Sequence, residues 1–247
     1  MNVLISGIAG RMGNVTAKLA LNGARGVTGV VGVDISGTFD GVPCYSSFDQ
    51  LTDAPDCIID FSHHSAVNTL LPYAVSERVP VVIATTGHTE DELRLIHEAA
   101  ASVPVFFSAN MSLGVALLTE LARIAAKMMP EAEIEIIEKH HNRKLDAPSG
   151  TALMLANAVK EVRPQAQNVC GRSGQGKRTH DEIGIHAIRM GNIVGEHEVL
   201  IGTDNQTISL KHQAHDRALF AEGALAAAQF LLQKPAGLYN MQDLVRS

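Results

Sequence analysis

The chain of 247 residues is poor in cysteine and in aromatic residues: it has three cysteines and no tryptophan, and aromatic residues make up 4% of it. Cys44, Cys57 and Cys170 lie far apart, are odd in number and form no Cys-x-x-Cys pair. We therefore expect neither a disulfide framework nor a zinc knuckle, and we predict no metal site. Reduced thiols of this kind are typical of cytosolic proteins.

Long apolar runs are also missing. No apolar segment reaches the length of about 20 residues that a membrane-spanning helix needs. The first residues lack the basic region, apolar run and cleavage site of a signal peptide. We therefore expect a cytoplasmic protein without a membrane partner. No internal repeat or low-complexity linker interrupts the chain.

Positive charge is scarce, because 20 lysines and arginines are outnumbered by 26 aspartates and glutamates, which gives a formal net charge of −6. Binding to the phosphates of a nucleic acid requires a basic stripe, so no nucleic-acid partner is expected. The apolar share of 46% is ordinary for a soluble protein, and the length suffices for one or two domains with a sizeable core. A local basic cluster in such a chain would attract an anionic ligand.

A glycine-rich segment follows the first apolar run. Residues 2–6 predict a strand, residues 7–13 read Gly-Ile-Ala-Gly-Arg-Met-Gly, and a helical pattern follows. This order suits a dinucleotide site, because glycines let the backbone approach a pyrophosphate at the helix N-terminus. The spacing is Gly-x-x-Gly-x-x-Gly instead of the usual Gly-x-Gly-x-x-Gly, so a plain glycine turn is the alternative. The candidate cofactor-binding residues here are Gly7, Ile8, Ala9, Gly10, Arg11 and Met12.

An aspartate ends the second apolar run. Asp34 follows residues 27–33 and lies about 20 residues beyond the glycine loop, where an acid accepts hydrogen bonds from the adenosine ribose. The alternative is an aspartate in a turn before Ser36. Because Ile35 comes next, no guanidinium lies beside Asp34 to bind the 2′-phosphate of NADPH. Arg11 in the glycine loop could still reach such a phosphate. We expect NADH to be preferred, or both nucleotides to be used.

The first half of the chain alternates strands and helices. Further strands are predicted over residues 57–61, 79–85 and 103–107. Helical patterns separate them, and Thr89 and Glu92 have the spacing of a capping box. This alternation predicts an α/β fold with a Rossmann-like, doubly wound parallel sheet.

After residue 111 the pattern changes to a long helix and then mainly strands. Strands are predicted from residues 133, 183, 196 and 206, and they indicate a second, α+β domain with a mixed sheet. A polar loop at 169–180 contains the basic residues Arg172, Lys177 and Arg178. Two interpretations of it stay open: a lid that covers a substrate, and a merely exposed loop.

Basic side chains concentrate after the strand predicted at 133–138. His140, His141, Arg143 and Lys144 lie within five residues, and Ser149 is placed to cap the helix that follows. Backbone N–H groups at the start of that helix suit a carboxylate, which would gain roughly 0.3–1 kcal/mol from the helix dipole. The alternative is a basic surface loop before a capped helix.

This segment resembles the signature of the dihydrodipicolinate reductases, also called 4-hydroxy-tetrahydrodipicolinate reductases. The matching residues are Glu135, Glu138, His140, Lys144, Asp146 and Pro148 through Ala152. The resemblance implies that His140 and Lys144 serve proton transfer. It also implies that the carboxylates of the substrate are bound by His141, Lys144, Gly150 and Thr151.

The resemblance extends over nearly the whole chain. Residues 84–87 are similar to the family's Gly-Thr-Thr-Gly loop beside the nicotinamide, with alanine in place of the first glycine. The further cofactor contacts that it implies are Ala84, Thr85, Thr86, Ser108, Ala109, Asn110 and Met111. For Met111 a role as core filler is the alternative. His197, in a run that also resembles the family, is not among our candidates, because a polar strand start explains it equally well.

The resemblance implies a dinucleotide-binding domain of residues 1–111, completed by 220–247. It implies a substrate-binding and oligomerisation domain of residues 112–219, in a homotetramer. The implied reaction is the reduction by NADH or NADPH of a small-molecule dicarboxylate, 4-hydroxy-tetrahydrodipicolinate, to tetrahydrodipicolinate in diaminopimelate and lysine biosynthesis.

Two rival functions are weighed against this reaction. A dehydrogenase of another small amino dicarboxylate, such as aspartate, shares the nucleotide domain but has no use for the cluster of residues 140–151. A regulator that senses NADH without turnover would usually carry a DNA-reading helix with a basic face, and no such helix is visible in the sequence.

Overall fold

A computed structural model describes all 247 residues. The chain divides into two units: unit 1 comprises residues 1–113 and 217–247, and unit 2 comprises residues 114–216. No helix in either unit combines the length and the apolar character needed to cross a membrane.

The secondary structure comprises twelve strands and seven α-helices. The strands are β1 (Asn2–Ser6), β2 (Gly29–Val33), β3 (Cys44–Tyr45), β4 (Cys57–Asp60), β5 (Val81–Ile83), β6 (Pro104–Phe107), β7 (Glu133–His140), β8 (Gln167–Cys170), β9 (Glu182–Arg189), β10 (Gly195–Thr203), β11 (Gln206–Ala214) and β12 (Gly237–Tyr239). The helices are α1 (Arg11–Leu21), α2 (Val67–Glu77), α3 (Glu90–Ala100), α4 (Leu113–Met128), α5 (Gly150–Val162), α6 (Ala218–Leu231) and α7 (Met241–Arg246).

Unit 1 contains a seven-stranded parallel sheet in the order β12-β6-β5-β4-β1-β2-β3. Its central strands are continuous apolar runs because helices cover both faces of such a sheet. The predicted Rossmann-like sheet is confirmed. Strand β1 lies between β2 and β4, so the direction of winding reverses there, and ligands of such sheets bind outside the carboxyl ends of the strands at this point.

Helix α3 begins with the capping box that its sequence predicts. The Thr89 side chain accepts a hydrogen bond from the backbone N–H of Glu92, and the Glu92 carboxylate accepts one from the N–H of Thr89 at 2.8 Å. The same carboxylate lies 2.8 Å from Nδ1 of His64. Glu92 therefore connects the start of α3 with the loop after β4.

Unit 2 contains a five-stranded sheet in the order β11-β10-β7-β9-β8. Strand β10 is antiparallel to both of its neighbours, β11 and β7. Strand β9 is parallel to both of its neighbours, β7 and β8. The predicted mixed sheet is therefore confirmed. Apolar side chains of α4 and α5 pack on one face of this sheet and form its core. Strand β8 occupies the first residues of the segment that the sequence predicted as a polar loop.

Strand β7 alternates between the two faces of the unit 2 sheet. Ile134 and Ile136 lie in the helix-covered core, and by the same alternation Glu138 and His140 project to that face and are buried. Strand pairing places Arg189 of β9 opposite His140 and His197 of β10 opposite Glu138. Four ionisable side chains therefore share the helix-covered face at one end of the sheet.

Candidate active site

The glycine loop of unit 1 is closely packed. Gly7 has a φ of 78°, and a Cβ atom on it would lie 2.7 Å from Cα of Ser62. A Cβ atom on Gly13 would lie 2.0 Å from the carbonyl oxygen of Gly7. Both positions therefore require glycine, the first for its backbone conformation and the second because α1 starts against the loop.

The N-terminus of α1 has no cap from a side chain. Gly10 occupies the N-cap position, and the first turn contains no acidic residue. Its backbone N–H groups are thus suited to an anion, and they fit the pyrophosphate of a dinucleotide. Arg11 is exposed at this end, whereas the side chain of Ile8 is fully buried, so Ile8 can offer a ligand only its backbone.

Asp34 joins the glycine loop to the turn after β2. One carboxylate oxygen accepts a hydrogen bond from the N–H of Ala9 at 3.0 Å, and the other accepts from the N–H and hydroxyl of Ser36 at 2.9 and 3.0 Å. Asp34 therefore does lie in a turn before Ser36, as the alternative interpretation of its sequence position expected. An ionised carboxylate offers about four acceptor positions, so Asp34 can still accept from a ribose.

A cleft of about 1040 Å³ lies beside this loop. Its lining includes Asp34, Ile35 and Asp49, but no lysine or arginine. Phe48 and Tyr73 also line it, with ring centroids 5.6 Å apart. The cleft thus combines an apolar surface suited to a flat base with carboxylates suited to hydroxyl groups.

A buried carboxylate connects the loops that follow β4 and β5. Asp60 is fully buried and accepts hydrogen bonds from the hydroxyl of Ser62 and, at 2.5 Å, from that of Thr85. Ala84 and Thr85 are half-buried and Thr86 is exposed. The predicted Ala-Thr-Thr-Gly loop is therefore fixed to the carboxyl edge of the unit 1 sheet.

The segment that follows β6 forms a turn of its own. The hydroxyl of Ser108 donates to the carbonyl oxygen of Asn110, and the side-chain oxygen of Asn110 accepts from the N–H of Ser112. Ala109 is exposed, but Met111 is only 2% exposed. The Met111 side chain is thus a core residue, and only its backbone is available to a ligand.

Glu138 is the centre of the cluster in unit 2. Its buried carboxylate accepts hydrogen bonds from both terminal nitrogens of Arg189 at 2.6 and 2.7 Å, from Nδ1 of His140 at 2.6 Å and from the N–H of Ser149 at 3.0 Å. Burial acts to raise the pKa of Glu138, but the hydrogen bonds from Arg189, His140 and Ser149 outweigh it and lower the pKa. Glu138 is therefore ionised at neutral pH.

His140, which we predicted as catalytic, is 8% exposed. Burial lowers its pKa, the Glu138 carboxylate opposes this shift, and the positive charges of Lys144 and Arg189 add to it. Its ring contacts that of His197 in an edge-to-face arrangement, with centroids 5.1 Å apart. His140 is therefore a group that can exchange a proton, and its surroundings favour the neutral form.

The start of α5 is attached to the same carboxylate through Ser149. The Ser149 hydroxyl caps the helix by accepting from the N–H of Ala152, as its sequence position predicted. Its backbone N–H donates to Glu138. Gly150, the first residue of the helix, is exposed and Thr151 is half-buried. The predicted carboxylate-binding positions thus lie next to the Glu138 cluster.

Lys144, the other predicted catalytic residue, lies in the loop between β7 and α5. Its ammonium group is 2.8 Å from the carboxylate of Asp146, and its side chain is 23% exposed. Nδ1 of His141 is buried without a hydrogen-bond partner. An ammonium group has three donors, so Lys144 can bind a carboxylate of a substrate in addition to Asp146.

Two residues of this cluster were absent from the sequence prediction. Arg189 binds Glu138 from a strand 51 residues further along the chain, and no local motif surrounds it. His197 is 4% exposed, and its Nε2 lies 3.1 Å from the Ser149 hydroxyl. Burial and the charge of His140 lower its pKa to about 4, so His197 is neutral. The sequence feature that could have identified His197 was the family-like run from Gly195 to His197. That run alone did not distinguish a residue of the active site from a polar residue at the start of a strand.

The polar loop predicted at 169–180 is attached to the edge of the unit 2 sheet. Arg172 forms an ion pair with Glu182. Arg178 lies 3.1 Å from the Glu135 carboxylate and also donates to the carbonyl oxygen of Ile134. Both guanidinium groups therefore bind their own sheet.

Comparison with known families agrees with this geometry. A family model described as the N-terminus of dihydrodipicolinate reductase matches residues 1–111, and one described as its C-terminus matches residues 114–245. The chain belongs to the dihydrodipicolinate reductase family. The resemblance identified in the sequence is thus confirmed, and this family consists of oxidoreductases with a Rossmann-like nucleotide domain.

Individual members of the family match over their full length. A 4-hydroxy-tetrahydrodipicolinate reductase from Caldanaerobacter subterraneus subsp. tengcongensis is 46% identical over 100% of this chain and 98% of its own length. The enzyme of that name from Clostridium tetani is 40% identical with the same coverage. The structure of dipicolinate-bound dihydrodipicolinate reductase from Paenisporosarcina sp. TG-14 has a TM-score of 0.81 and 26% identity, and covers 98% of both chains.

The fold is shared more widely than the family. Aspartate dehydrogenase from Thermotoga maritima covers 95% of this chain and 98% of its own, with a TM-score of 0.50 and 16% identity. At that identity the likeness shows the fold alone. It does not favour the aspartate dehydrogenase that we weighed as a rival.

Proposed function

We propose that this protein reduces 4-hydroxy-tetrahydrodipicolinate to tetrahydrodipicolinate with a nicotinamide nucleotide and with loss of the hydroxyl group as water, in diaminopimelate and lysine biosynthesis. The observation that carries the proposal is the unit 2 cluster, in which Glu138, Arg189 and His140 lie beside the helix start that contains Gly150 and Thr151. It occurs in a chain that matches the named reductases from end to end.

Unit 1 would hold the nucleotide. The pyrophosphate fits the N–H groups at the start of α1, the ribose fits Asp34, and the loops at 84–86 and 108–111 would contact the nicotinamide end. The bound nicotinamide supplies the hydride. Unit 1 itself contributes binding and orientation.

Unit 2 would bind the ring dicarboxylate and supply the proton. The solved Paenisporosarcina relative contains dipicolinate, and we propose that this chain binds a ligand of the same class through His141, Lys144, Gly150 and Thr151. His140 or Lys144 then protonates the carbon skeleton. The positive charge of Lys144 acts to lower the pKa of His140, so the two groups are electrostatically connected. A positioned acid contributes about 10²–10⁴ in rate.

For the nucleotide, we propose a preference for NADH or use of both forms. The lining of the cleft beside the glycine loop includes two aspartates and neither a lysine nor an arginine to neutralise a 2′-phosphate. Ile35, next to Asp34, is 92% exposed. Arg11 is exposed nearby in the sequence but does not line the cleft.

We further propose the domain roles, assembly and location that the family resemblance implies. Residues 1–111 with 220–247 would bind the nucleotide, and residues 112–219 would bind substrate and form a cytoplasmic homotetramer. An exposed apolar stripe on α4, formed by Leu117, Leu121, Ile124 and Met128, supports association. Light scattering coupled to gel filtration tests this, and a monomer would contradict it.

Turnover coupled to the preceding reaction tests the function. Aspartate semialdehyde, pyruvate and the synthase that joins them are supplied, and the loss of nucleotide absorbance is followed separately with NADH and NADPH. Oxidation that requires the synthase is the expected result. Formation of NADH from NAD⁺ and aspartate would instead favour the rival dehydrogenase. Nucleotide binding without any turnover would favour a sensor.

A further inference from the structure

We infer that Glu138 is a positioning residue: fixed by Arg189, its carboxylate orients the imidazole of His140 so that Nε2 exchanges the proton with the substrate, and it aligns the start of α5 with that atom. This inference rests on the proposed function, since it assigns the proton-transferring atom of that reaction.

The hydrogen bond between Glu138 and His140 determines which imidazole nitrogen is protonated. An ionised carboxylate can only accept hydrogen bonds, so Nδ1 of His140, at 2.6 Å, must carry the proton. The neutral imidazole therefore has its lone pair on Nε2, and the charged form carries its second proton there. When that Nε2–H bond breaks, the proton forms a C–H bond on the substrate. The other proton remains on Nδ1, and Glu138 continues to accept a hydrogen bond from it.

Nε2 of His140 has space in front of it. Gly195, the first residue of β10, lies beside it, and a Cβ atom at this position would be 3.1 Å from Nε2. The glycine thus leaves this nitrogen uncovered by a side chain. The edge-to-face contact with His197 supports the ring from another side.

The carboxylate of Glu138 is held rigidly. Arg189 binds it with both terminal nitrogens, and the same guanidinium donates to the carbonyl oxygens of Ile188 at 2.9 Å and Asp146 at 2.7 Å. Together with His140 and Ser149, these donors occupy the acceptor positions of Glu138. The carboxylate is therefore held on all sides and gives His140 one orientation.

The same carboxylate is connected with the proposed substrate-binding positions. The N–H of Ser149 donates to the Glu138 oxygen that does not bind His140, and Ser149 caps α5. Gly150 and Thr151 follow directly. One buried group thus sets the geometry of both the proton donor and the helix start that we propose binds a substrate carboxylate.

The charges around His140 give opposite expectations for two variants. The groups that face it are Glu138 of β7, Arg189 of β9, Lys144 of the following loop and neutral His197 of β10. Glu138 raises the pKa of His140, and Arg189 lowers it. Glu138→Gln should therefore move the His140 pKa down, and Arg189→Met should move it up. A residue with only a structural role would not produce opposite shifts.

A matched control lies on the same strand. Glu135 also binds an imidazole, His186 at 2.8 Å, and a guanidinium, Arg178 at 3.1 Å, but on the opposite face of the sheet. Glu135→Gln should leave turnover within about twofold of the original protein. It should also leave the pH profile unchanged.

Two measurements test the inference. Nitrogen NMR of histidine-labelled protein, with His140 assigned through His140→Gln, should show the Nδ1–H tautomer in the neutral form. This readout needs neither a variant at 138 nor turnover, so it remains available if Glu138→Gln does not fold and is independent of the proposed function. The Nε2–H tautomer would overturn the inference.

The pH dependence of turnover is the second measurement. Glu138→Gln should lower kcat by about 10²-fold, as expected for loss of positioned acid catalysis, with NADH affinity unchanged. Its alkaline limb should move to lower pH, and that of Arg189→Met to higher pH. Shifts in the same direction, or none, would overturn the inference.

Discussion

In unit 1 the candidate contacts for a nucleotide are mainly backbone groups beside glycines, whereas in unit 2 the candidate contacts for a substrate are charged side chains held by other charged side chains. The N-terminus of α1 offers N–H groups without a capping side chain. In unit 2, the guanidinium of Arg189 and the imidazole of His140 donate hydrogen bonds to Glu138, and the imidazole of His197 contacts the ring of His140. The two sites therefore recognise their ligands by different means.

This difference follows from what each ligand requires. A dinucleotide brings its own reactive ring, so the protein needs only to bind and orient it, and backbone groups together with the carboxylate of Asp34 are suited to that. A ring dicarboxylate that must accept a proton needs an acid and compensating positive charge. A cluster of several buried ionisable groups, such as that around Glu138, is thus expected where the proton is transferred.

The strongest way to separate the two sites is the change His140→Gln. It removes the proposed acid from unit 2 and leaves the glycine loop intact, so kcat should fall by about 10²–10⁴. Isothermal titration should give an NADH dissociation constant close to that of the original protein. Normal turnover in this variant would remove His140 from the mechanism.

The converse change is Gly13→Ala in unit 1. Its Cβ atom would lie 2.0 Å from the carbonyl oxygen of Gly7, and overpacking of this kind costs about 1–3 kcal/mol. Displacement of the loop should weaken NADH binding severely, as titration would measure. Gly176→Ala in unit 2, where a Cβ atom meets nothing within 4 Å, is the control. Equal NADH affinity in both variants would contradict the role of the glycine loop.

A smaller effect is expected for Thr151→Val, which removes a hydroxyl at the start of α5. Loss of a hydrogen bond to a charged carboxylate costs about 1.5–3 kcal/mol, so the Michaelis constant of the substrate should rise by at least about tenfold. The constant for NADH should not change. Thr207→Val on the exposed strand β11 serves as control. If the substrate constant is unaltered, Thr151 does not contact a carboxylate.

The smallest effect concerns nucleotide choice. Ile35→Arg places a guanidinium beside Asp34, and an exposed charge pair of this type is worth up to about 1 kcal/mol, or roughly a fivefold gain in the kcat/KM ratio of NADPH to NADH. Ile35→Gln, of similar length without the charge, should show no such gain. If the unsubstituted protein already has a much higher kcat/KM with NADPH than with NADH, the proposed preference for NADH or use of both nucleotides is contradicted.

The sequence predicted unit 1 more completely than the cluster of unit 2, because the glycine loop and its strand and helix are contiguous. Even there, strands β3 and β12 were missed, since two or three residues are too short for periodicity to detect. The bonds of Asp34 to Ala9 and Ser36 also depend on how two loops meet. The sequence predicted the position of Asp34 at the end of β2, but it did not predict its hydrogen bonds with Ala9 and Ser36.

In unit 2, the sequence predicted the strand that delivers His140 and the cap at Ser149. It could not predict Arg189, because that contact depends on the register between β7 and β9. His197 likewise reaches Ser149 from 48 residues away. Long-range pairing of strands, which no local pattern encodes, assembles this cluster.

Deuterium transfer tests the central proposal most directly. NADH carrying deuterium at the transferring position is supplied with substrate generated by the synthase, and the product is examined by mass spectrometry. We expect tetrahydrodipicolinate with one deuterium on a ring carbon, and no such product from His140→Gln at the same enzyme concentration and time. Nucleotide oxidation without deuterium in the ring, or no reduced ring from the original protein, would contradict the account.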